Sequence, residues 1–170
     1  ETMRMKELVD GILTMSKLDG GRVELDCREM DLAGVELCVV PERKNLGGEN
    51  GGMFPLVSRY PGRFMVFPYI DPMDGESALE EIDRFRAVWD IRGVSAEPTF
   101  QPRPYRFDDP VAYPMYEKLQ RENLVLFVSY SAKLLPVVDP DTVRQLGALH
   151  QRFPELKIVV GHGGWPWHLE

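Results

Sequence analysis

The sequence has little cysteine and little histidine, with two residues of the first type and three of the second. Cys27 and Cys38 offer neither a disulfide framework nor the paired spacing of a structural zinc site. We interpret them as reduced thiols of a cytoplasmic protein. Apolar runs such as Leu124–Val128 are far shorter than the roughly 20 residues that span a bilayer. No basic and apolar leader opens the chain, so we expect no export.

Positive charge is also in short supply. The chain carries 20 Lys and Arg against 27 Asp and Glu, which gives a formal net charge of −7. This charge disfavours a nucleic-acid backbone or an anionic membrane surface as a partner. A content of 44% hydrophobic and 28% charged residues is typical of a globular domain. The expected partner is a small-molecule substrate, and a homo-oligomer is left open.

The start of the chain has the pattern of an amphipathic helix. Met5, Leu8, Ile12 and Met15 follow a 3-4-3 spacing with charged residues between them. Asp19-Gly20-Gly21 then ends the pattern, since glycine commonly follows a helix. We therefore predict two units, an N-terminal amphipathic helix in residues 1–26 and an α/β unit in residues 27–170.

The rest of the chain alternates between strand and helix patterns. The predicted strands are Val35–Val40, Arg63–Ile70, Ile91–Ala96, Leu124–Ser129 and Lys157–Gly161. Strands that alternate with helices of this length build βαβ units. The pattern predicts a parallel sheet of about five sequential strands with outer helices, either closing into a barrel or lying in an open doubly wound sheet.

Three helices of this unit have recognisable starts. Asp74 is the predicted cap of a helix over about Glu76–Trp89, and Asp109-Pro110 opens one that runs to about Asn123. Asp139-Pro140 has the same pattern, a capping aspartate followed by proline, before the last helix. The predicted inner face of that helix consists of Val143, Leu146, His150 and Phe153, which makes His150 a structural residue.

Several motifs then follow one another in a characteristic order. They are Met30–Val35, Tyr60–Phe64, Arg92–Val94 with Glu97-Pro98, Asp108–Pro110 with Tyr113–Tyr116, and Phe153–Trp167, which contains Gly-His-Gly-Gly-Trp-Pro-Trp. Together they resemble the amidohydrolase-related metal-dependent hydrolases, barrel enzymes akin to aminocarboxymuconate-semialdehyde decarboxylase. The resemblance implies a partial (β/α)8 TIM-barrel in residues 27–170, with its site at the C-terminal strand ends.

The resemblance also predicts which part of the barrel is present. The chain is expected to begin near the second barrel strand and to stop just after the sixth. The family's first-strand His-x-His is not found, because the histidines are His150, His162 and His168. The late-strand Asp of the family would lie beyond Glu170.

Residues 1–25 resemble a different family. Arg4-Met5, Leu8-Val9, Leu13–Asp19 and Gly21–Leu25 are similar to the end of a histidine-kinase dimerisation helix. This likeness leaves open a fusion, a misjoined reading or chance. A signalling role is disfavoured, because no phospho-accepting His accompanies the helix.

His162 is the candidate metal ligand. It follows an apolar strand and precedes two glycines, which allow a sharp turn and the close approach of a ligand. Neutral imidazole is a common ligand of zinc. The alternative is a buried histidine bonded to the following turn. If His162 is a ligand, its ring should lie within about 6 Å of the Glu97 carboxylate or the Ser129 hydroxyl.

Glu97 and Ser129 are the candidate catalytic residues, each at the end of a predicted strand. Glu97 would ligate a metal or act as a general base. Its alternative is an exposed loop residue paired with Arg103 or Arg106. Ser129 stands where many members of the family carry His and would hold a substrate oxygen; its alternative is a hydroxyl that caps the next turn.

Trp165 and Trp167 are the candidate substrate-binding residues, as indoles that wall an aromatic pocket. Their alternative is packing onto a neighbouring helix.

The resemblance implies a metal-dependent hydrolase or non-oxidative decarboxylase that acts on a small carboxylated or cyclic substrate. Its cofactor would be a divalent metal ion, with zinc preferred and manganese second. The competing hypothesis is a catalytically inactive fragment or a metal-free relative with a binding role only.

Overall fold

Five strands alternate with helices in the part of the chain described by the computed structural model, residues 36–43, 50–98, 103–129 and 141–161. The strands are β1 (Cys38–Pro41), β2 (Phe64–Phe67), β3 (Gly93–Ala96), β4 (Val125–Ser129) and β5 (Lys157–Gly161). The helices are α1 (Phe54–Arg59), α2 (Glu76–Trp89), α3 (Tyr113–Arg121) and α4 (Thr142–Arg152). The predicted N-terminal helix and the Asp139-Pro140 pair lie outside the described residues.

All strand pairs are parallel and follow the order of the sequence. β1 pairs with β2, and β3 pairs with β4, which pairs with β5. A bridge between Tyr69 and Ser95 joins the two groups, because the Ile70 N–H donates to the Ser95 carbonyl and the Ser95 N–H donates to the Pro68 carbonyl. The predicted parallel sheet of about five sequential strands is therefore confirmed.

β2 is shorter than predicted, and Pro68 gives the reason. The sequence predicted a strand over Arg63–Ile70, whereas the ladder with β1 ends at Phe67. Pro68 has no N–H to donate, so regular pairing stops where it begins. The chain then bends toward β3 and carries Tyr69 and Ile70 into the bridge with Ser95.

The hydrophobic core lies between the sheet and the helices. Val94 of β3 and Leu126 of β4 are fully buried, as are Ile82 of α2 and Leu119 of α3. Burial alternates along β4, where Leu126 and Val128 are buried and the residues between and beside them are half-buried. One face of the sheet is thus covered by helices, as in the outer layer of a barrel.

The start of α2 corrects one prediction. The helix has the predicted bounds, but Asp74 does not cap it; its N-cap is Gly75, with φ at 60° and no side-chain hydrogen bond. Asp71 is the capping carboxylate, and it accepts the Met73 N–H at the start of a short 3-10 turn, Pro72–Asp74. Because this turn precedes the helix, the side-chain cap is Asp71 and not the predicted Asp74.

The start of α3 confirms the prediction for Asp109. The carboxylate accepts the Val111 N–H at 3.0 Å and opens a 3-10 turn, Pro110–Ala112, that leads into the helix. The helix ends at Arg121, two residues before the predicted end, and Asn123 adopts a positive φ of 58°. Asparagine tolerates this conformation better than most residues.

α4 buries only part of the predicted face. Phe153 is buried and Leu146 packs against the core, as predicted, whereas Val143 is 62% exposed and His150 is exposed. Gln145 and Leu149 are buried in their place. The predicted structural role of His150 is therefore wrong. The physical reason is the buried N–H of Phe107, which donates to the Gln145 side chain at 3.0 Å and draws that face inward.

None of the helices in the described ranges is long and apolar enough to cross a membrane.

Candidate functional site at the C-terminal strand ends

Three polar side chains that lie far apart in sequence meet at one edge of the sheet. Arg43 comes two residues after β1, Glu97 follows β3 directly, and Ser129 is the last residue of β4. Because the strands are parallel, their C-terminal ends lie at the same edge, where parallel α/β folds place their ligands. The structure thus brings together both predicted catalytic residues and adds an arginine.

Arg43 connects the other two residues of this cluster. Its Nε lies 2.7 Å from Oε1 of Glu97, and its Nη2 donates to Oγ of Ser129 at 3.0 Å. A guanidinium presents five N–H donors in a planar fork, so one arginine can hold a carboxylate and a hydroxyl simultaneously. We call Arg43, Glu97 and Ser129 the arginine cluster.

Burial differs sharply between the two charged members of the arginine cluster. The Glu97 side chain is 4% exposed, whereas that of Arg43 is 20% exposed. A carboxylate removed from water to this degree needs a charged partner, which Arg43 supplies. The Arg43 side chain, in contrast, keeps contact with solvent.

The position of Glu97 decides between the two alternatives left by the sequence. The exposed-loop alternative is wrong, because Glu97 is buried and forms an ion pair with Arg43. Its suggested partners bind other carboxylates: Arg103 pairs with Asp71, and Arg106 pairs with Asp108. A catalytic role for Glu97 stays a prediction.

The Ser129 hydroxyl contacts the side chain of Arg43. It accepts a hydrogen bond from Arg43, 86 positions earlier in the chain. Ser129 also pairs in register with Gly161, the last residue of β5. The predicted site residues His162, Trp165 and Trp167 follow Gly161 and lie outside the described residues, so their roles and the predicted His162 distances stay predictions.

The described residues do not by themselves provide a site for the predicted metal ion. Among them there is no group of three or more His, Cys, Asp or Glu side chains that could hold a metal. Glu97, the candidate ligand among them, is 2.7 Å from a guanidinium. A second cation on the same carboxylate oxygen would meet electrostatic repulsion from Arg43.

Glu42, next to Arg43, is a buried carboxylate that the sequence did not single out. Its two oxygens accept backbone N–H groups, Oε2 from Gly51 at 2.6 Å and Oε1 from Met53 at 2.8 Å. Burial raises the pKa of the Glu42 carboxyl above its usual value, and the bonds from Met53 and Gly51 offset part of this rise.

Asn50 fixes the adjoining segment to the end of β2. Its amide nitrogen donates to the Tyr69 carbonyl at 2.7 Å, and its amide oxygen accepts the Tyr69 N–H at 2.9 Å. The side chain thus imitates the pairing of a neighbouring strand. It also donates to Glu81 of α2 at 3.0 Å, which links this segment to the outer helix layer.

Tyr69 itself lies close to the acidic residues of this edge. Burial is the largest cause that raises the pKa of its phenol, followed by the negative charges of Asp71 and Glu97. The hydroxyl therefore stays protonated at neutral pH and can act only as a neutral hydrogen-bonding group.

Two of the residues that the sequence analysis missed, Glu42 and Arg43, are the first and second residues after β1. The rule that selected Glu97 and Ser129, polar residues at the end of a predicted strand, applies equally to them. The signal was therefore present in the sequence. What the sequence could not supply was the partner, since Glu97 and Ser129 are remote along the chain.

Comparison with known proteins identifies the family. A family model described as amidohydrolase matches residues 39–170. Together with the parallel strands and a polar cluster at their C-terminal ends, this match shows that the chain belongs to the amidohydrolase family. A search of curated proteins found no match.

Solved structures agree with the barrel fold. An uncharacterized TIM-barrel protein from Bordetella bronchiseptica has 23% identity and a TM-score of 0.64, covering 77% of this chain and 47% of its own. 5-Carboxyvanillate decarboxylase from Sphingomonas paucimobilis has 25% identity and a TM-score of 0.51, with coverages of 69% and 42%. A dihydroxybenzoic acid decarboxylase from Polaromonas, solved with bound manganese and the inhibitor 2-nitroresorcinol, has 20% identity and a TM-score of 0.54, with coverages of 79% and 48%.

The present chain therefore spans about half the length of these structures. The predicted fold, a partial (β/α)8 TIM-barrel, is confirmed.

Proposed function

We propose that this chain forms part of a metal-dependent hydrolase or non-oxidative decarboxylase that acts on a small carboxylated or cyclic substrate. Membership of the amidohydrolase family and the likeness to 5-carboxyvanillate decarboxylase support the proposal. The observation that carries it is the arginine cluster, which places a guanidinium at the strand ends where barrel enzymes bind substrate.

In this proposal Arg43 binds an anionic oxygen of the substrate. Two of its five N–H donors hold Glu97 and Ser129, and the Arg43 side chain keeps 20% of its surface exposed. An N–H bond to a carboxylate is charge-assisted and stronger than a neutral bond. Glu97 fixes the plane of the guanidinium, and Ser129 offers its hydroxyl to a second substrate oxygen.

The remaining predicted residues keep their proposed roles. Glu97 and Ser129 are the catalytic candidates, His162 the metal ligand, and Trp165 and Trp167 the walls of the substrate pocket. A divalent ion, zinc or manganese, would supply a Lewis acid. The related decarboxylase with bound manganese supports the choice of a divalent ion.

The proposed setting follows from the sequence. Reduced cysteines support a cytoplasmic location, and the net charge of −7 disfavours nucleic acid and membrane as partners. A homo-oligomer stays open.

The test measures carbon dioxide release and binding with 2,6-dihydroxybenzoate and 5-carboxyvanillate as probes. Arg43→Lys keeps the positive charge beside Glu97 but loses the fork, so we expect affinity to fall about tenfold, the value of one charge-assisted hydrogen bond. Exposed Arg144, on α4, gives the control Arg144→Lys, which should bind like the wild type. Equal binding by the Arg43 and Arg144 variants would contradict the proposed role of Arg43.

A second candidate function is a metal-free relative that only binds its ligand. It is favoured by one observation, the ion pair that the Glu97 carboxylate forms with Arg43. Elemental analysis of the purified protein separates the two candidates. Stoichiometric zinc or manganese supports the enzyme, whereas probe binding without metal and without turnover supports the metal-free relative.

A further inference from the structure

Glu42 takes part in four hydrogen bonds, two through its carboxylate and two through its backbone. Its carboxylate accepts the N–H groups of Gly51 and Met53. Its own N–H donates to the Phe67 carbonyl at 2.8 Å, and its carbonyl accepts the Ser95 hydroxyl at 2.6 Å. These hydrogen bonds connect residue 42 to the end of β2, to β3 and to the turn before α1.

A carboxylate at this position has a cost. Removal of a charged group from water is unfavourable, and here the compensation comes from neutral backbone N–H groups. A smaller polar side chain would satisfy one of these groups with less desolvation. The double acceptor is needed only if both N–H groups, and the backbone of residue 42 with them, must be fixed together.

The residue that benefits is the next one. Arg43 reaches across the strand ends to Glu97 and Ser129, and both contacts depend on where its backbone leaves β1. A rotation of the peptide between residues 42 and 43 would move the guanidinium by several bond lengths. Of the four hydrogen bonds of Glu42, the one from the Ser95 hydroxyl to its carbonyl acts directly on that peptide and opposes the rotation. The other three hold the N–H and the side chain of residue 42.

We propose that Glu42 is a positioning residue for Arg43, which aligns its guanidinium with Glu97 and Ser129 before any ligand arrives. Its effect on substrate affinity rests on the proposed function, in which Arg43 binds an anionic oxygen. Its effect on the geometry of Arg43 does not. When the guanidinium is already in its binding position, less conformational entropy is lost on binding. Loss of the alignment therefore weakens binding.

The first measurement follows the Arg43 Nε–H directly by proton exchange of its side-chain NMR signal in the 170-residue chain, assigned by its loss in Arg43→Lys. In the wild type the ion pair with Glu97 should protect this proton. Glu42→Gln keeps the size of the side chain but puts an NH2 group against one of the two N–H donors. We expect exchange of the Arg43 proton to become about tenfold faster, the loss of one charge-assisted bond.

Two further variants make this measurement decisive. Glu117→Gln removes the same charge from an exposed position on α3 and should leave the exchange unchanged. Ser95→Ala keeps the Glu42 carboxylate but deletes the bond to its carbonyl, so it should accelerate the exchange by a smaller factor. It also serves as the test if Glu42→Gln does not fold.

The second measurement uses the probe 2,6-dihydroxybenzoate. With Glu42→Gln we expect about tenfold weaker binding, or a KM raised by that factor with kcat within about twofold of the wild type. The proposal is overturned if the backbone N–H groups of Gly51 and Met53 lose protection while the Arg43 proton keeps its own. Glu42 would then serve the turn alone. If the wild type binds no probe but the Arg43 proton responds as expected, the proposed function fails and the positioning role stands.

Discussion

At the scale of single residues, the site is organised by unequal burial of opposite charges. Glu97 is almost fully buried and Arg43 is partly exposed. The negative charge of the ion pair therefore lies inside the protein and the positive charge lies closer to solvent. The inner carboxylate is costly to leave unpaired, which keeps Arg43 in place. The outer guanidinium can serve a ligand without breaking the pair. Glu42, next to Arg43, is a second buried carboxylate of this site, and it accepts two backbone hydrogen bonds.

The pH dependence of stability should reveal the cost of burying Glu42. Burial raises its pKa above the usual value of 4.5. Between pH 4.5 and the raised pKa, the folded protein holds a proton that the unfolded chain has lost, so this group lowers the free energy of unfolding as pH rises. Relative to Glu42→Gln, the wild type should lose stability through this window and stay level above it.

Urea unfolding of both proteins at a series of pH values measures this difference. A wild type that instead gains stability over Glu42→Gln as pH rises would mean that the bonds from Gly51 and Met53 outweigh burial.

Gly93 is required by a close approach of two strands. A Cβ at this position would lie 2.5 Å from the Val125 carbonyl oxygen and 2.9 Å from the Phe67 ring. Because a backbone oxygen in a sheet cannot move aside cheaply, Gly93→Ala should lower the free energy of unfolding by about 1–3 kcal/mol. Gly147→Ala is the matched control. It lies within α4 with no atom within 4 Å, so the substitution should raise stability by about 0.5–1 kcal/mol. Chemical denaturation that gives both substitutions the same sign would refute the packing argument.

At the scale of elements, the sequence predicted regular segments better than their surroundings. α2 and β5 have the predicted bounds, Glu76–Trp89 and Lys157–Gly161, because apolar spacing and flanking turn residues agree there. β2 was predicted too long, since apolar content continues through Pro68 although the donor needed for pairing does not.

The site was partly predictable for a related reason. Glu97 and Ser129 could be selected as polar residues at strand ends, a property that is local in sequence. Their link through Arg43 spans 86 positions to Ser129, and no pattern along the chain encodes that contact. The burial of Gln145 on α4 escaped prediction because it depends on a polar contact, from the Phe107 N–H to the Gln145 side chain, and hydrophobic spacing does not detect such a contact.

This explanation of α4 can be tested at Gln145. Gln145→Leu makes the buried face of α4 more apolar. If hydrophobic spacing alone selected this face, the substitution should stabilise the protein. Because it leaves the buried Phe107 N–H without its acceptor, we expect it to lower the free energy of unfolding by about 1–3 kcal/mol. The control is Gln151→Leu at an exposed position of the same helix, for which we expect a change within about 0.5 kcal/mol. Equal values for the two variants in chemical denaturation would show that Gln145 does not select the face.

At the scale of the whole molecule, arginines connect the loops that follow the strands. Arg103, in the loop after β3, pairs with Asp71 and Asp74 in the loop after β2. Arg106 pairs with Asp141 at the start of α4. The two arginine side chains are about half exposed, so these pairs contribute little to stability and are screened by salt. Each pair connects residues that follow different strands.

The two outermost described strands lead to a prediction about association. Val39 of β1 and Val159 of β5 are 45% and 46% exposed. Within the described residues no strand pairs with the outer edge of β1 or β5, and an unpaired strand edge is a template for pairing with another chain. We expect the 170-residue protein to associate as its concentration rises, and Val159→Lys to reduce that association, since an edge lysine opposes pairing. Val88→Lys is the control, because Val88 is 64% exposed but lies on helix α2. It adds the same charge away from the sheet and should leave association unchanged.

Light scattering over a concentration series measures all three proteins. A monodisperse wild-type monomer at high concentration would contradict the prediction, and equal effects of the two lysines would attribute association to net charge and not to the sheet edge.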